Sequence, residues 1–208
     1  MKRRFLFGWA AAAMLVAGAW PAARTAASPE AALTLKSGKV TLAGTSNVHD
    51  YTASTTNVRV VRVQLGDGVT AADVRENPLK PGAIQAFEIA IAANTLKSGK
   101  DGLDKNMWKA LKVDECPDIT FRLTRFEVTG TSAGGGKALG VLKIAGVEHD
   151  VALDFTTSAG DGTLTVRGHL DLLMTDYGIK PVVAMMGMLK TDAKVTVTFE
   201  TVLAIPLT

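Results

Sequence analysis

The three histidines of this chain are the residues best suited to acid–base or metal chemistry. Two of them stand in similar pairs, His49-Asp50 and His149-Asp150, and the third is His169. An imidazole beside a carboxylate can act as a general base, or as a metal ligand that its neighbour orients. Successive side chains of a strand point to opposite faces, however, so neither aspartate need contact the histidine before it. We favour a structural role for each histidine, and a three-histidine site formed in space stays open as the alternative.

The methionines are concentrated near the C-terminus. Met174, Met185, Met186 and Met188 lie within 15 positions, among valines and small residues. Thioether sulfur binds Cu(I), and Met also makes a pliable apolar lining that adapts to varied ligands. No cysteine accompanies this group, so we favour a lining or plain core over a copper site.

Motifs of common enzymes are absent from the sequence. It contains no Gly-x-Ser-x-Gly, His-Glu-x-x-His, phosphate loop or Gly-x-Gly-x-x-Gly. Cys116 is the single cysteine, so no disulfide can form within the chain, and we interpret it as a half-buried structural residue. We therefore predict a protein without catalytic activity, resident metal or cofactor.

The N-terminus has the three parts of a secretory signal. Residues 2–4 are basic, residues 5–19 form an uncharged apolar run, and small residues follow up to Ala27. The run is shorter than the ~20 apolar residues of a membrane-spanning helix. We expect residues 1–27 to be removed as a signal peptide, and residues 28–208 to act as one domain in the bacterial periplasm or outside the cell.

The charge of that domain excludes one class of partner. The chain carries a formal charge of +3, but residues 1–27 contain four basic and no acidic residues, which leaves −1 for the remainder. A near-neutral domain lacks the positive surface that binding to a phosphate backbone requires. We predict no nucleic-acid partner.

The elements that would position these residues are mostly strands. Apolar and polar residues alternate in eight or nine segments, for example at Phe87, Ile89 and Ile91, and the links between them are short and rich in glycine. Residues 33–42 are interpreted as a hairpin around Ser37-Gly38. One amphipathic helix is predicted over residues 102–112, with Asp104 on its solvent side, and a helical turn over residues 172–177. These features predict an all-β antiparallel barrel or sandwich with one short helix covering or plugging an end.

Four segments in order resemble the YceI-like family. They are Gly-Thr-Ser-Asn-Val-His-Asp-Tyr at residues 44–51, Leu-Asp-Lys-Asn-Met-Trp-Lys-Ala-Leu-Lys at 103–112 followed by Cys-Pro-Asp-Ile-Thr-Phe at 116–121, the strand at 140–151, and the block at 174–190. The resemblance spans roughly residues 30–204. It implies an extended antiparallel β-barrel of lipocalin-like form. It also implies that an internal tunnel holds a polyisoprenoid or other lipid chain, and it carries over no catalytic residue.

The leading hypothesis is thus a periplasmic protein that sequesters or carries an amphipathic lipid. We expect transient membrane contact during ligand exchange, and an exposed barrel edge would allow a homodimer. The head-group candidates are Asn47, His49 and Lys105. The alternatives are a copper-, zinc- or haem-linked accessory protein and a ligand-free stress or interaction barrel. The residues expected to line or gate the tunnel are Phe87, Ile89, Met107, Leu111, Phe121, Leu123, Val141, Leu153, Phe155, Leu170, Met185, Met186, Met188, Val197 and Phe199.

Overall fold

The computed structural model describes residues 33–128, 134–184, 186 and 188–205. The predicted signal peptide, residues 1–27, lies outside the described residues. Within them, none of the helices is long and apolar enough to cross a membrane.

A curled antiparallel sheet forms most of the molecule. Its strands follow one another in space in the order β2-β1-β10-β8-β7-β6-β5-β4-β3, and β9 pairs with the start of β10. Two α-helices interrupt the strand sequence, α1 (Ala71–Glu76) between β3 and β4 and α2 (Asp101–Ala110) between β4 and β5. The strands are β1 (Thr34–Ser46), β2 (Tyr51–Thr55), β3 (Val58–Leu65), β4 (Ile84–Ala92), β5 (Asp118–Val128), β6 (Gly135–Ile144), β7 (Val147–Gly160), β8 (Thr163–Leu173), β9 (Val183–Ala184) and β10 (Leu189–Ala204). The all-β, antiparallel prediction is confirmed.

The β2 end of the strand path is bound to the segment that precedes α2. Ser54 of β2 exchanges backbone hydrogen bonds with Lys97, at 2.9 and 3.0 Å, in the segment that leads from β4 to α2. The Thr55 and Thr95 hydroxyl oxygens lie 2.6 Å apart. The Thr95 hydroxyl also donates to the Ala92 carbonyl, so the Thr55 hydroxyl is the donor to Thr95. These bonds give the curled sheet its barrel-like form at this end.

The outer face of the sheet is polar and carries ion pairs between neighbouring strands. Arg167 on β8 contacts Glu200 on β10 at 2.7 Å, and Lys137 on β6 contacts Asp154 on β7 at 2.8 Å. Because successive side chains of a strand alternate between faces, this charged outer surface leaves the apolar residues facing inward.

One local prediction is wrong, one helix was missed, and two predictions are confirmed. Ser37-Gly38 is not a hairpin turn: β1 continues through it with a bulge, and an added Cβ on Gly38 would lie 2.7 Å from Val58 Cβ. Helix α1 was not predicted, although Thr70 and Asp73 form a capping box at its start. The predicted helix at 102–112 is confirmed as α2, and the turn at 172–177 as a 3₁₀ helix, Met174–Tyr177.

Candidate functional site

An elongated apolar cavity of about 300 Å³ lies inside the curled sheet. Inward-facing side chains of β1, β2, β4–β8 and β10 line it, together with one face of α2 and the segment between β8 and β10. This arrangement follows from the alternating pattern, since each strand turns its apolar face to the same interior.

Several lining residues keep accessible surface although they point inward. Phe87, Ile89, Leu123, Leu170 and Phe199 are only half-buried. In a close-packed core such side chains would be covered by neighbours, because protein interiors contain few voids larger than a water molecule. Their exposed surface is therefore the wall of the cavity.

Most of the predicted lining residues lie on this wall. They are Phe87, Ile89, Met107, Leu111, Phe121, Leu123, Leu153, Phe155, Leu170, Val197 and Phe199. Val141 was placed on the wrong face: it lines a separate depression on the outer surface with Cys116 and Lys143. On β6 the inward face belongs to Leu142 and Ile144. The run Val141-Leu142 puts apolar residues on both faces, so the pattern alone did not distinguish them.

The methionine group does not line the cavity as expected. Met186 and Met188 are 103% and 69% exposed and point into solvent, so their predicted place at the lining is wrong. Met185 lies outside the described residues. Met174, at the start of the 3₁₀ helix, does contribute to the wall.

Inward-facing glycines make room for aromatic rings against the wall. An added Cβ on Gly140 would lie 2.7 Å from two carbons of the Phe121 ring, and Gly168 is covered in the same way by Phe199. The rings lie flat over these glycines because no side chain holds them away. Because Gly140 and Gly168 have no side chains, the aromatic rings occupy that space and extend less far into the cavity.

Helix α2 covers one end of the cavity with Leu103, Met107 and Leu111. Trp108 Nε1 donates to the Leu96 carbonyl at 3.0 Å, which ties the helix to the segment before it. Asp104, predicted to face solvent, is 2% exposed.

The Asp104 carboxylate fixes the start of α2. Its Oδ1 accepts from the Ser98 hydroxyl at 2.6 Å and from the Ser98 backbone N–H at 2.7 Å, and Lys97 Nζ lies 3.9 Å from Oδ2. The two hydrogen bonds from Ser98 lower the pKa of Asp104, and the charge of Lys97 acts in the same direction. A buried carboxylate with these partners stays ionised and holds the helix in place.

A buried cluster beside α2 completes this side of the cavity. Tyr177 is 2% exposed and packs with Leu111 and Ile144. Burial, and then the nearby charge of Asp176, raises the pKa of Tyr177 to about 12. The His149 ring meets the Tyr177 ring edge-on, with centroids 5.1 Å apart, and its Nε2 lies 2.8 Å from the Asp176 carbonyl oxygen. This histidine has a structural role in the fold, as favoured from the sequence.

Polar lining residues lie at both ends of the cavity, and Thr157 and Thr201 are those on the side away from α2. Lys180 is the one charged residue among the described residues of the wall, and Tyr51, Asn106 and Thr191 contribute polar atoms from elements at the α2 end. At the opposite end the cavity stops against a tightly buried cluster of Leu33, Val74, Leu164, Leu203 and Ile205. The charged part of the described wall thus lies near α2, and the opposite part has only the two threonine hydroxyls among mostly apolar side chains.

The predicted head-group candidates are not on the wall. The Asn47 amide donates to the Met188 carbonyl and accepts from Lys190 N–H, both at 2.8 Å, so it joins two loops. His49 and Lys105 are exposed and face solvent. Asn106, the neighbour of Lys105, takes the position on the wall. No sequence signal distinguishes Lys180 from the other lysines, because its place depends on how the segment after β8 folds back.

The structure does not bring the histidines together. His49 lies in the loop after β1, His149 packs on Tyr177, and His169 is on the outer face of β8 opposite Asp154. Among residues 33–128, 134–184, 186 and 188–205, no group of three His, Cys, Asp or Glu side chains could hold a metal ion.

Solved structures share this architecture. A polyisoprenoid-binding domain from Saccharophagus degradans, implicated in plant cell wall breakdown, superposes with a TM-score of 0.64 at 12% identity, covering 85% of this chain and 100% of that one. BcnA from Burkholderia cenocepacia gives 0.62 at 14% identity, with 79% and 95% covered. The YCEI protein of Campylobacter jejuni gives 0.53 at 13% identity, with 97% of each chain covered. At these identities the likeness shows the fold.

Comparison at the level of sequence identifies the family. No curated protein matches this chain significantly. The sequence profile of the YceI-like domain, however, matches residues 43–203, which include the end of β1, every strand from β2 to β9 and nearly all of β10. The chain therefore belongs to the YceI-like family.

Proposed function

We propose that this protein is a periplasmic carrier that holds an amphipathic polyisoprenoid or a similar lipid in its cavity. The observation that carries the proposal is the apolar cavity of about 300 Å³ inside the sheet. Ligand sites in proteins span roughly 300–1,000 Å³. Each methylene removed from water contributes about 0.8 kcal/mol, so an apolar wall retains a long chain with few polar contacts. The likeness to a domain described as polyisoprenoid-binding supports the same class of ligand.

The distribution of polar residues suggests how the ligand lies. Its tail would extend toward the cluster around Leu164, and its head would meet Tyr51, Asn106, Lys180 and Thr191 near α2. A lysine ammonium favours an anionic group such as a phosphate over a hydroxyl. We therefore prefer a polyprenyl phosphate to a neutral polyprenol.

The direct test is to extract the purified protein with organic solvent and to analyse the extract by mass spectrometry. We expect a long-chain isoprenoid or related lipid in stoichiometric amount. Titration with fluorescent polyprenyl phosphates of increasing length should show affinity rising with each added unit until the cavity is full. A protein that is empty as isolated and takes up none of these probes would refute the proposal.

The head-group assignment has its own matched pair of variants. Lys180→Gln removes the charge on the wall, and Lys105→Gln removes one from the exposed side of α2. Lys180→Gln should weaken polyprenyl phosphate binding by about tenfold, as for one solvent-accessible charge-assisted hydrogen bond. Its effect on a polyprenol of equal length should be small. Equal losses for both variants, or for both ligands, would contradict the assigned role of Lys180.

The periplasmic part of the proposal depends on residues 1–27. Cell fractionation of the natural host should find the protein in the periplasm, and its intact mass should lack this segment. A protein recovered from the cytoplasm with the segment attached would overturn the location while leaving the ligand proposal intact.

The competing hypotheses have less support. A ligand-free barrel is expected to have a filled interior, whereas this one contains a cavity. A metal- or haem-linked role has no assembled ligand group in the part of the chain that the structure describes. The proposal assigns no catalytic step to this protein, and the homodimer stays a prediction.

A further inference from the structure

Large apolar side chains are exposed at the α2 end of the molecule. Val48 and Val183 are each 62% exposed, Met188 is 69% exposed and Met186 is 103% exposed. Single exposed apolar residues are ordinary on protein surfaces, but a group of them marks a site of interaction. Of the three other large apolar residues found exposed in the described chain, Val61 and Val128 lie elsewhere on the sheet, and Leu173 ends β8 opposite Lys194.

Hydrogen bonds hold these exposed residues in one place. Asn47 donates through its side chain to Met188 and exchanges bonds with Lys190, at 2.8 Å for the side chain and 3.1 Å for the backbone. Lys190 in turn pairs with Val183 across β9 and β10. The loop that carries Val48 is thereby joined to the loop between β9 and β10. We call the resulting surface the apolar tip; it consists of Val48, Val183, Met186 and Met188.

The apolar tip adjoins the α2 end of the cavity. Val182 precedes β9 and lines the wall, and its N–H donates to the Thr191 hydroxyl at 2.8 Å. Lys180, two residues earlier, lines the wall as well. A lipid chain that leaves the cavity at this end therefore passes along the base of the apolar tip.

The charges around the apolar tip favour the head-group region of a membrane. Lys180 and Lys190 are exposed, and neither forms an ion pair with a described residue, whereas seven cations elsewhere on the surface do. Two exposed acids, Asp50 and Asp192, offset the charge of the lysines, and the Asp192 carboxylate also accepts a hydrogen bond from the Thr45 hydroxyl. The lysines therefore suit head groups through direct contact with phosphates and not through a net positive charge. Lysines can extend toward phosphates while apolar neighbours enter the acyl region.

We propose that the apolar tip inserts shallowly into a lipid bilayer and places the α2 end of the cavity, where exposed Asn106 and Lys180 line the wall, on the membrane that supplies or receives the ligand. The inference rests on the proposed lipid carriage. Methionine suits this role because its flexible thioether packs among acyl chains of varied shape. Four side chains give weak, reversible docking, which a carrier needs if it is to leave the membrane loaded.

The test uses the purified protein and vesicles of equal parts phosphatidylethanolamine and phosphatidylglycerol. The double variant Met186→Asp/Met188→Asp places charge on the apolar tip without altering the wall. Val61→Asp is the matched control, because Val61 is 54% exposed in the β3 bulge on the outer face. Vesicle co-sedimentation and the initial rate of transfer of a fluorescent polyprenyl phosphate from vesicles to protein are measured for all three proteins.

We expect the methionine variant to lower both quantities by roughly tenfold or more, since two apolar groups are replaced by charges that resist burial in the membrane. The control should behave as the wild type. A wild-type protein that does not bind vesicles, or a control that loses as much as the methionine variant, overturns the inference. Self-association that the methionine variant abolishes, without vesicle binding, would overturn it in favour of contact between two copies of the chain.

Equilibrium binding of the same probe without vesicles keeps the two proposals apart. Unchanged affinity in the methionine variant, together with slower transfer, supports the apolar tip as a docking surface. Failure of the wild type to bind the free probe refutes lipid carriage itself, and the tip then loses its basis as well.

Discussion

Replacing Leu170 by Trp tests whether the interior is open in solution. Leu170 points inward from β8 and is half-buried, because part of its surface forms the cavity wall. A larger ring at this position can extend into open space without displacing a neighbour. We therefore expect Leu170→Trp to change the free energy of unfolding by less than about 1 kcal/mol, whereas overpacking a filled core costs about 1–3 kcal/mol.

The same substitution should weaken lipid binding. Trp adds roughly six heavy atoms to the volume of Leu, and those atoms exclude a similar number of ligand carbons. At about 0.8 kcal/mol per methylene, less the contact that the tail regains with the indole ring, the loss is about 2–4 kcal/mol. This corresponds to a Kd raised roughly 30- to 1,000-fold for a fluorescent polyprenyl phosphate, measured by titration.

Leu164 provides the control on the same strand and the same face. It contacts the end of the cavity but is 2% exposed and packed within the cluster there, so Leu164→Trp has far less free space to fill than Leu170→Trp. We expect it to lose about 1–3 kcal/mol in urea unfolding. If Leu170→Trp is destabilised as much as Leu164→Trp, the interior is packed in solution and the reasoning fails. If Leu170→Trp is stable but binds lipid normally, the ligand lies elsewhere.

Three further predictions concern stability. The pKa of Tyr177 is raised to about 12, so its neutral form stabilises the fold fully below pH 10. Between pH 10 and 12 the free energy of unfolding should fall by at most about 2–3 kcal/mol, as measured by alkaline unfolding curves. Tyr177→Phe should lose less stability over that range. Gly140→Ala, whose Cβ would meet the Arg122 carbonyl oxygen and the Phe121 ring, should cost about 1–3 kcal/mol in urea unfolding. Gly102→Ala, in an open position of α2, should gain up to about 1 kcal/mol in the same urea titration, and equal effects would refute the packing argument. Because the pKa of Asp104 is lowered in the fold, its carboxylate contributes stability above its unfolded pKa near 3.9, and this stability is lost as the pH falls through the folded value. Asp104→Asn should therefore show a stability that depends less on acid pH, and faster hydrogen exchange in α2. Unchanged exchange would show that the carboxylate does not hold the helix.

The strands and most of the wall could be predicted from the sequence because both follow from one period. Alternation at Phe87, Ile89 and Ile91 determines which side chains share a face, and closure of the sheet turns all such faces inward. The prediction failed where the pattern was ambiguous. At Val141-Leu142 both faces carry apolar residues, and the register of β6 with β5 and β7 decides which one points inward.

The polar wall near α2 could not be predicted, since it is assembled from distant segments. Tyr51 begins β2, Asn106 lies on α2, and Lys180 and Thr191 flank β9. Their proximity depends on the pairing of β9 with β10 and on the anchoring of α2 by Ser98. No local spacing encodes these contacts. His49 was predicted as a head-group residue because of its chemistry, but both His49 and Asp50 are exposed to solvent.

An alternating apolar pattern also says nothing about whether the enclosed space is filled. The same inward residues would suit a solid core if the sheet could draw together. Here the hydrogen-bonded ladders fix the separation of the strands, and the glycines Gly140 and Gly168 let Phe121 and Phe199 lie against the wall rather than across the interior. Asp104 and Trp108 hold α2 over the end without drawing it in. The width of the cavity is thus set by the backbone ladders and not by the exposed ion pairs, so substitutions of the outer pairs should alter lipid binding only if they also alter strand register.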